Sequence, residues 1–259
     1  MKLSIEYMAS LCRVAGEDIL RVYETEFAVE AKADESPLTL ADRLSHRRIA
    51  DGLTREYPGI PLLSEEGEHP PYAERRKWKR FWLVDPLDGT KEFVKRNGEF
   101  TVNIALIEDG YPVFGMIYIP VADVLYYGDE RGAFKVAAGG AAERIRVRSR
   151  GADEPVVLAE SRSHPSPELT AYVDTLAPRQ LARIERGSSL KFCVVAEGAA
   201  DVYPRFGPTM EWDTAAGQAI VEAAGGVVLT PGGERLACNS ETLRNGAFLA
   251  AASREWVRG

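Results

Sequence analysis

Asp85 and Asp88 stand three residues apart in the segment WLVDPLDGTKEF, residues 82–93. The apolar run before them reads as a strand ending at Asp85, and Pro86 restricts the backbone just beyond it. The Asp85 carboxylate, the Leu87 carbonyl and the Asp88 carboxylate can then turn toward one point. Hard oxygen donors converging in this way suit magnesium, which takes near-octahedral coordination and keeps waters that substrate oxygens displace. Taken alone, Asp88 and Gly89 read equally well as a turn, and Asp85 as a strand-end cap.

Other carboxylates could join them. In LLSEE, residues 62–66, Glu65 and Glu66 end another apolar strand, and either could reach the same focus or stay a solvated pair. In EWDTAA, residues 211–216, Asp213 opens a helical pattern, a place where Asp is ordinarily a cap. Gly187, Ser188, Ser189 and Lys191 lie where a loop enters a helix, so their donors could meet an anion at the positive end of the dipole. Lys191 would add a mobile cation, and the Arg205 fork, after a strand and Pro204, suits a phosphate. Their ordinary alternatives are a lysine stem lying along a helix and an arginine paired with a structural carboxylate. Tyr203 and Phe206 read as core before base-stacking surface, and His164 as a loop histidine.

The elements that must position these groups follow from periodicity. Ile5, Met8, Leu11, Cys12, Ala15, Ile19 and Val22 recur at helical spacing in an opening helix. A second helix is expected from about Thr39, with Thr39 and Asp42 as a capping pair and Leu40, Leu44, Ile49 and Leu53 as its buried stripe. From 60 to 137 the pattern is strands: IPLLS, FWLVD, TVNIALI, YPVFGMIYI after the turn at Asp109 and Gly110, VLYYG and GAFKV. After about 150, strands alternate with helices near 166–177, 189–199 and 212–224. The expected organisation is α+β / α/β, with two halves joined near 140–155. Residues 1–145 form an antiparallel-sheet half carrying most metal ligands; residues 146–259 form an alternating α/β half carrying Asp213 and the recognition residues.

With 259 residues, 45% of them hydrophobic, the chain can bury a large core without staples. Cys12, Cys193 and Cys238 are odd in number and widely spaced, which argues against a disulfide framework or zinc site and fits a reducing cytoplasm. No stretch is apolar enough to span a membrane; peripheral contact at the inner membrane is compatible with the sequence. The net charge of −7 argues against a nucleic-acid polymer as partner. Of the basic runs, residues 75–80 read as a solvated loop entering a strand, and Arg144, Arg146 and Arg148 as a charged sheet edge. An acidic protein that handles a phosphate needs local positive charge, which divalent cations supply.

Asp34, Glu65–Glu66, DPLDGT at 85–90, Trp212–Asp213 and Gly225–Gly226 together resemble the signature of the lithium-sensitive, magnesium-dependent phosphatases. That superfamily includes inositol monophosphatases, fructose-1,6-bisphosphatases and bisphosphate nucleotidases. The stretch GSSLKFCVVAEGAADVYPRFGPTMEWDTAAGQAI, residues 187–220, more closely resembles 3′(2′),5′-bisphosphate nucleotidases of the CysQ type. The resemblance implies a layered αβαβα sandwich and two or three magnesium ions. Glu65, Asp85 and the Leu87 carbonyl would hold one; Asp85, Asp88 and Asp213 another; a third would lie near Glu65. It further implies that Asp34 and Thr90, with Glu65, activate a water, and that Gly89, Thr90, Ser188, Ser189, Lys191 and Arg205 hold a small nucleotide bisphosphate. An inositol or other sugar phosphatase would use the same carboxylates, and a metal-binding regulatory module without turnover is the alternative from another class. Oligomeric state is not legible.

Overall fold

The computed structural model describes residues 3–25, 37–151, 154–161, 167–176 and 179–257. In chain order the first part contains α1 (Ile5–Tyr23), α2 (Pro37–Glu56), β1 (Leu62–Ser64), α3 (Tyr72–Arg75), β2 (Arg80–Asp88), α4 (Thr90–Val94), β3 (Thr101–Glu108) and β4 (Tyr111–Ile119). It continues through β5 (Val124–Asp129), β6 (Gly132–Val136) and β7 (Glu143–Ile145). The second part contains β8 (Val156–Glu160), α5 (Pro167–Thr175), β9 (Leu181–Glu185), α6 (Leu190–Ala196), β10 (Val202–Arg205), β11 (Thr209–Met210) and α7 (Glu211–Ala223). It closes with β12 (Val227–Leu229), β13 (Arg244–Asn245) and β14 (Phe248–Ala251).

Strands β1 to β7 form one seven-stranded sheet in sequence order, with β1 parallel to β2 and every later pair antiparallel. Asp109 and Gly110 both take positive φ, 47° and 81°, the geometry that joins β3 to β4 by a tight hairpin. The second sheet has the order β12-β14-β10-β8-β9 and is mixed, while β11 and β13 pair separately. Arg144 lies on the edge strand β7, where its guanidinium covers the Phe134 ring. Arg75, by contrast, is buried and bonds Asn239 and the carbonyls of Ser240 and Glu241.

The layers follow from alternation within β2, which is buried on both faces as a sandwiched strand must be. Trp82 and Val84 face α1 and α2, packing with Met8, Cys12, Ile19, Ile49 and Leu53. Phe81 and Leu83 face the opposite way, into a core with Phe192, Ala216 and Ile220 of α6 and α7 and Val157 and Phe248 of the second sheet. The far side of that sheet buries Val156, Leu158 and Leu249 against Tyr172 of α5 and Trp256. The architecture is therefore an αβαβα sandwich. All three cysteines are buried and unpaired.

Two details of α2 differ from the periodicity reading. The helix begins at Pro37, so Thr39 lies inside its first turn and not at the position before it. Leu40 is 49% exposed, whereas Ile49 and Leu53 are buried and Leu44 packs against the same core as expected, with Ala41, Asp42 and Ser45 completing the inward stripe. Leucine hydrophobicity outweighed phase in the sequence, whereas packing selects phase.

The seating of α7 depends on two glycines. A Cβ at Gly115 of β4 would come 2.2 Å from the Ala216 carbonyl oxygen, and one at Gly128 of β5 would come 2.8 Å from Ile220 Cα. Backbone cannot yield as a flexible side chain can. Gly115→Ala is expected to cost about 1–3 kcal/mol and to reduce turnover by lifting α7, which carries Asp213. Denaturant melts and initial rates would both register it; a neutral result on both would show that the helix is seated loosely.

Candidate active site

The parallel pairing of β1 and β2 brings the first two carboxylates together. Ser64 lies opposite Val84, so the residues that follow, Glu65 and Asp85, emerge side by side, and the Glu65 N–H donates to the Val84 carbonyl at 3.1 Å. Between Asp85 and Asp88 the pairing with β3 shifts register: Asp85 faces Asn103 and Asp88 faces Thr101. A bulge of this kind re-aims side chains at a strand end. Within it the Pro86 carbonyl accepts the Ser45 hydroxyl at 2.8 Å and the Leu87 N–H donates to Asp85 Oδ1 at 3.1 Å. Leu87 itself anchors the bulge in the core. Gly89 then takes φ 93° and starts α4, leaving Thr90 exposed at its first position.

Asp213, third residue of α7, accepts the Met210 N–H at 2.8 Å, so it performs the capping role and still faces the focus. Glu65, Asp85 and Asp213 each offer an oxygen within 4.8 Å of the others. Asp88 stands next to this group, and its charge is felt at Glu65, Asp85 and Asp213. Its Oδ2 is taken by the Ser188 hydroxyl at 2.5 Å and the Ser189 N–H at 2.7 Å, with Asn103 Nδ2 at 3.4 Å.

Burial and mutual repulsion raise the proton affinity of this cluster. Asp85 is raised well above the ordinary carboxylate range by burial, then by Asp88, Glu65, Asp213 and Asp42. Asp213 is raised to about 7 by burial and Asp88, partly offset by the Met210 bond. Glu65 is raised mainly by burial, with a hydrogen bond to Asp85 opposing it. Desolvated carboxylates packed this closely fit a hard divalent cation.

Asp42 is the functional candidate that the motif reading missed. It is buried on the inner face of α2, its Oδ1 has no partner among the described residues, and it is raised to about 8 by burial, Glu66 and Glu65. The signal was present: Asp42 falls in phase with Ser45, Ile49 and Leu53 on the buried stripe, where a carboxylate has no place without a task. Glu66 is exposed. Asp34 and His164 lie outside the described residues.

A cavity of about 140 Å³ adjoins the carboxylates, lined by Asp88, Gly89, Ser188, Lys191, Arg205 and Asp213 among others. The expected mobile cation is not mobile: Lys191 is 4% exposed, and its ammonium donates to the Ser188 carbonyl at 2.5 Å and the Arg186 carbonyl at 3.3 Å. Burial lowers it to about 8. Ser189 is buried, its hydroxyl donating to Asn103 Oδ1 at 2.9 Å. Arg205 bonds the Pro208 carbonyl through one terminal nitrogen, and its buried Nε has no partner among the described residues. Tyr203 is core, edge-on to Phe192 and Phe248, and Phe206 packs near Tyr172.

The raised carboxylates set the pH dependence of metal-free stability. Asp42 and Asp213 rise from 3.8 to about 8 and about 7, so the folded state holds more protons than the unfolded chain between those limits. Stability therefore falls as pH rises through that window. The metal-free protein is expected to melt several degrees higher at about pH 5.5 than at about pH 8.5, with magnesium recovering more at the higher pH. Calorimetry showing metal-free stability that rises across the window would contradict the assignment.

The fold and this acidic focus define a metal-assisted phosphatase of one family: the inositol monophosphatase family model matches residues 4–258, and the chain belongs to that family. Within it, the chain is 52% identical to the 3′(2′),5′-bisphosphate nucleotidase CysQ of Salmonella typhimurium over 223 residues, 85% of this chain and 88% of the relative. The protein of that name from Haemophilus influenzae is 32% identical over 244 residues, covering 93% and 90%. Among solved structures, CysQ from Bacteroides thetaiotaomicron superposes with a TM-score of 0.86 at 45% identity, covering 95% of this chain and 97% of that one. An inositol monophosphatase from Zymomonas mobilis gives 0.78 at 27%, covering 98% and 94%. Among the described residues no helix is long and apolar enough to cross a membrane.

Proposed function

We propose that this chain hydrolyses the 3′-phosphate of adenosine 3′,5′-bisphosphate, giving AMP and phosphate with magnesium as cofactor. The observation that carries the reading is the juxtaposition of two features. Three carboxylates converge within 4.8 Å, and the adjoining cavity is lined by a buried ammonium and an arginine whose Nε lacks a partner among the described residues. The names of the relatives support the substrate, and the family supports metal dependence.

Glu65, Asp85 and the Leu87 carbonyl would hold one magnesium, and Asp85, Asp88 and Asp213 another. When bound, such ions lower the proton affinity of a water and stabilise the leaving oxygen. The protein's own groups then divide the work. Thr90, at the exposed start of α4, orients the water by its hydroxyl. The expected acceptor of the threonine proton, Asp34, lies outside the described residues; among the described residues the candidate is Asp42, buried near Glu65 with Oδ1 unpartnered. Arg205 and Lys191 hold the 5′-phosphate, Arg205 by its fork and Lys191 by the proton not used on the two carbonyls. Gly89 leaves room where a side chain would press on Ser188 Cβ at 3.1 Å.

The experiment is phosphate release from adenosine 3′,5′-bisphosphate by enzyme stripped with chelator and then resupplied with magnesium. Activity that vanishes and returns supports the reading. Full activity in excess chelator would refute the metal-assisted chemistry, and restored activity on inositol 1-phosphate alone would favour the sugar-phosphatase alternative.

A further inference from the structure

Ser188 touches both halves of the site. Its hydroxyl donates to Asp88 Oδ2 at 2.5 Å, and its carbonyl accepts the Lys191 ammonium at 2.5 Å. Its φ of 51° lies in the left-handed region that residues with a Cβ seldom adopt. Such strain persists only where the surroundings over-determine it.

The surroundings do so here. On one side the Gly187 N–H donates to Glu99 Oε2 at 2.7 Å, and a Cβ at Gly187 would stand 2.6 Å from Glu92 Cγ, so the loop is pressed against α4. Beneath it, Thr101 Oγ1 lies 2.8 Å from both the Ser188 and Ser189 hydroxyl oxygens. Each hydroxyl has one proton to give. A carboxylate only accepts, so the Ser188 proton goes to Asp88, while the Thr101 and Ser189 hydroxyls both donate to Asn103 Oδ1, at 3.0 and 2.9 Å. Asn103 turns its amide toward Asp88 in return. Among the described residues the donors to Asp88 thus gather on Oδ2.

We propose that Ser188 is a positioning residue that couples the anion cavity to the metal site, so that a phosphate held at Lys191 and Arg205 strengthens magnesium binding through Asp88. This inference rests on the functional reading above. A phosphate that engages Lys191 holds the ammonium against the Ser188 carbonyl; the ordered loop then keeps the Asp88 carboxylate fixed through Oδ2. Magnesium binds a ligand already in place, and the ordering cost falls on the first ligand rather than the second. The effect is reciprocal: magnesium must tighten binding of the phosphate by the same factor.

The probes are magnesium chloride and AMP, whose single phosphate is the 5′ group, titrated calorimetrically with the intact chain. In wild type, saturating AMP is expected to tighten magnesium about tenfold, within the usual range of such couplings. Direct attraction between nucleotide and metal acts without Ser188, so the variants isolate its share. Ser188→Gly removes the hydroxyl and adopts a positive φ freely; Ser188→Ala removes the hydroxyl and keeps the strain. Both should weaken magnesium alone a few-fold and reduce the tightening below about threefold, with circular dichroism confirming the fold. Retention of wild-type coupling in Ser188→Gly overturns the inference, whatever Ser188→Ala does. If wild type binds magnesium and AMP independently, the coupling is absent while the functional reading stands; if it binds no magnesium, both fall.

Discussion

Asp85→Asn is expected to lower turnover roughly a thousandfold while raising the melting temperature of the metal-free protein. Asp85 is 1% exposed and carries the burden of Asp88, Glu65, Asp213 and Asp42 around it. Removing its charge relieves that repulsion when no cation is present, so the fold gains. Removing it also takes a ligand from both proposed magnesium positions. The several kcal/mol by which bound metals stabilise a phosphoryl transition state correspond to about three powers of ten in rate. The opposed signs separate a functional carboxylate from a structural one: a structural Asp85 would lose stability and activity together. Activity near wild type at saturating magnesium would remove Asp85 from the site.

Arg205→Ala is expected to cost about 10- to 100-fold in kcat/KM on adenosine 3′,5′-bisphosphate and little on inositol 1-phosphate. Only the first substrate has a second phosphate for the guanidinium to hold. A hydrogen bond to a charged group contributes about 1.5–3 kcal/mol, which sets that range. In the structure Arg205 spends one terminal nitrogen on the Pro208 carbonyl and leaves Nε buried without a partner among the described residues, an arrangement that costs stability until an anion arrives. An equal loss on both substrates would show that Arg205 supports the fold instead.

The sequence disclosed the site in proportion to how local its signals were. Asp85, Asp88 and Gly89 sit in one short segment, and the Pro86 bulge that aims them follows from residues in that segment. Periodicity gave the strands and helices and the two-part organisation, whereas the layering came from the family resemblance; it rests on the two buried faces of β2, which a continuous apolar run does not disclose. The roles of Ser188, Ser189 and Lys191 were not readable in the same way. A loop entering a helix suggests donors aimed at a ligand, yet these donors are committed to Asp88, Asn103 and two carbonyls. Their partners Asp88 and Asn103 lie 101 and 86 positions away along the chain, and no local pattern encodes that. Asp42 was concealed differently, because a Thr three residues before an Asp imitates a capping pair. Its helical phase with Ser45, Ile49 and Leu53 was the competing signal, and the helix start at Pro37 and the burial of Asp42 decide in favour of that stripe.

The most direct test of the account is the identity of the product from adenosine 3′,5′-bisphosphate, followed by phosphorus NMR as magnesium-loaded enzyme turns over. The account places the 3′-phosphate at the acidic focus and keeps the 5′-phosphate beside Lys191 and Arg205. It therefore predicts that inorganic phosphate and AMP appear in equal amounts, with no adenosine 3′-monophosphate. Accumulation of adenosine 3′-monophosphate, or a bisphosphate left intact while inositol 1-phosphate is hydrolysed, would contradict it.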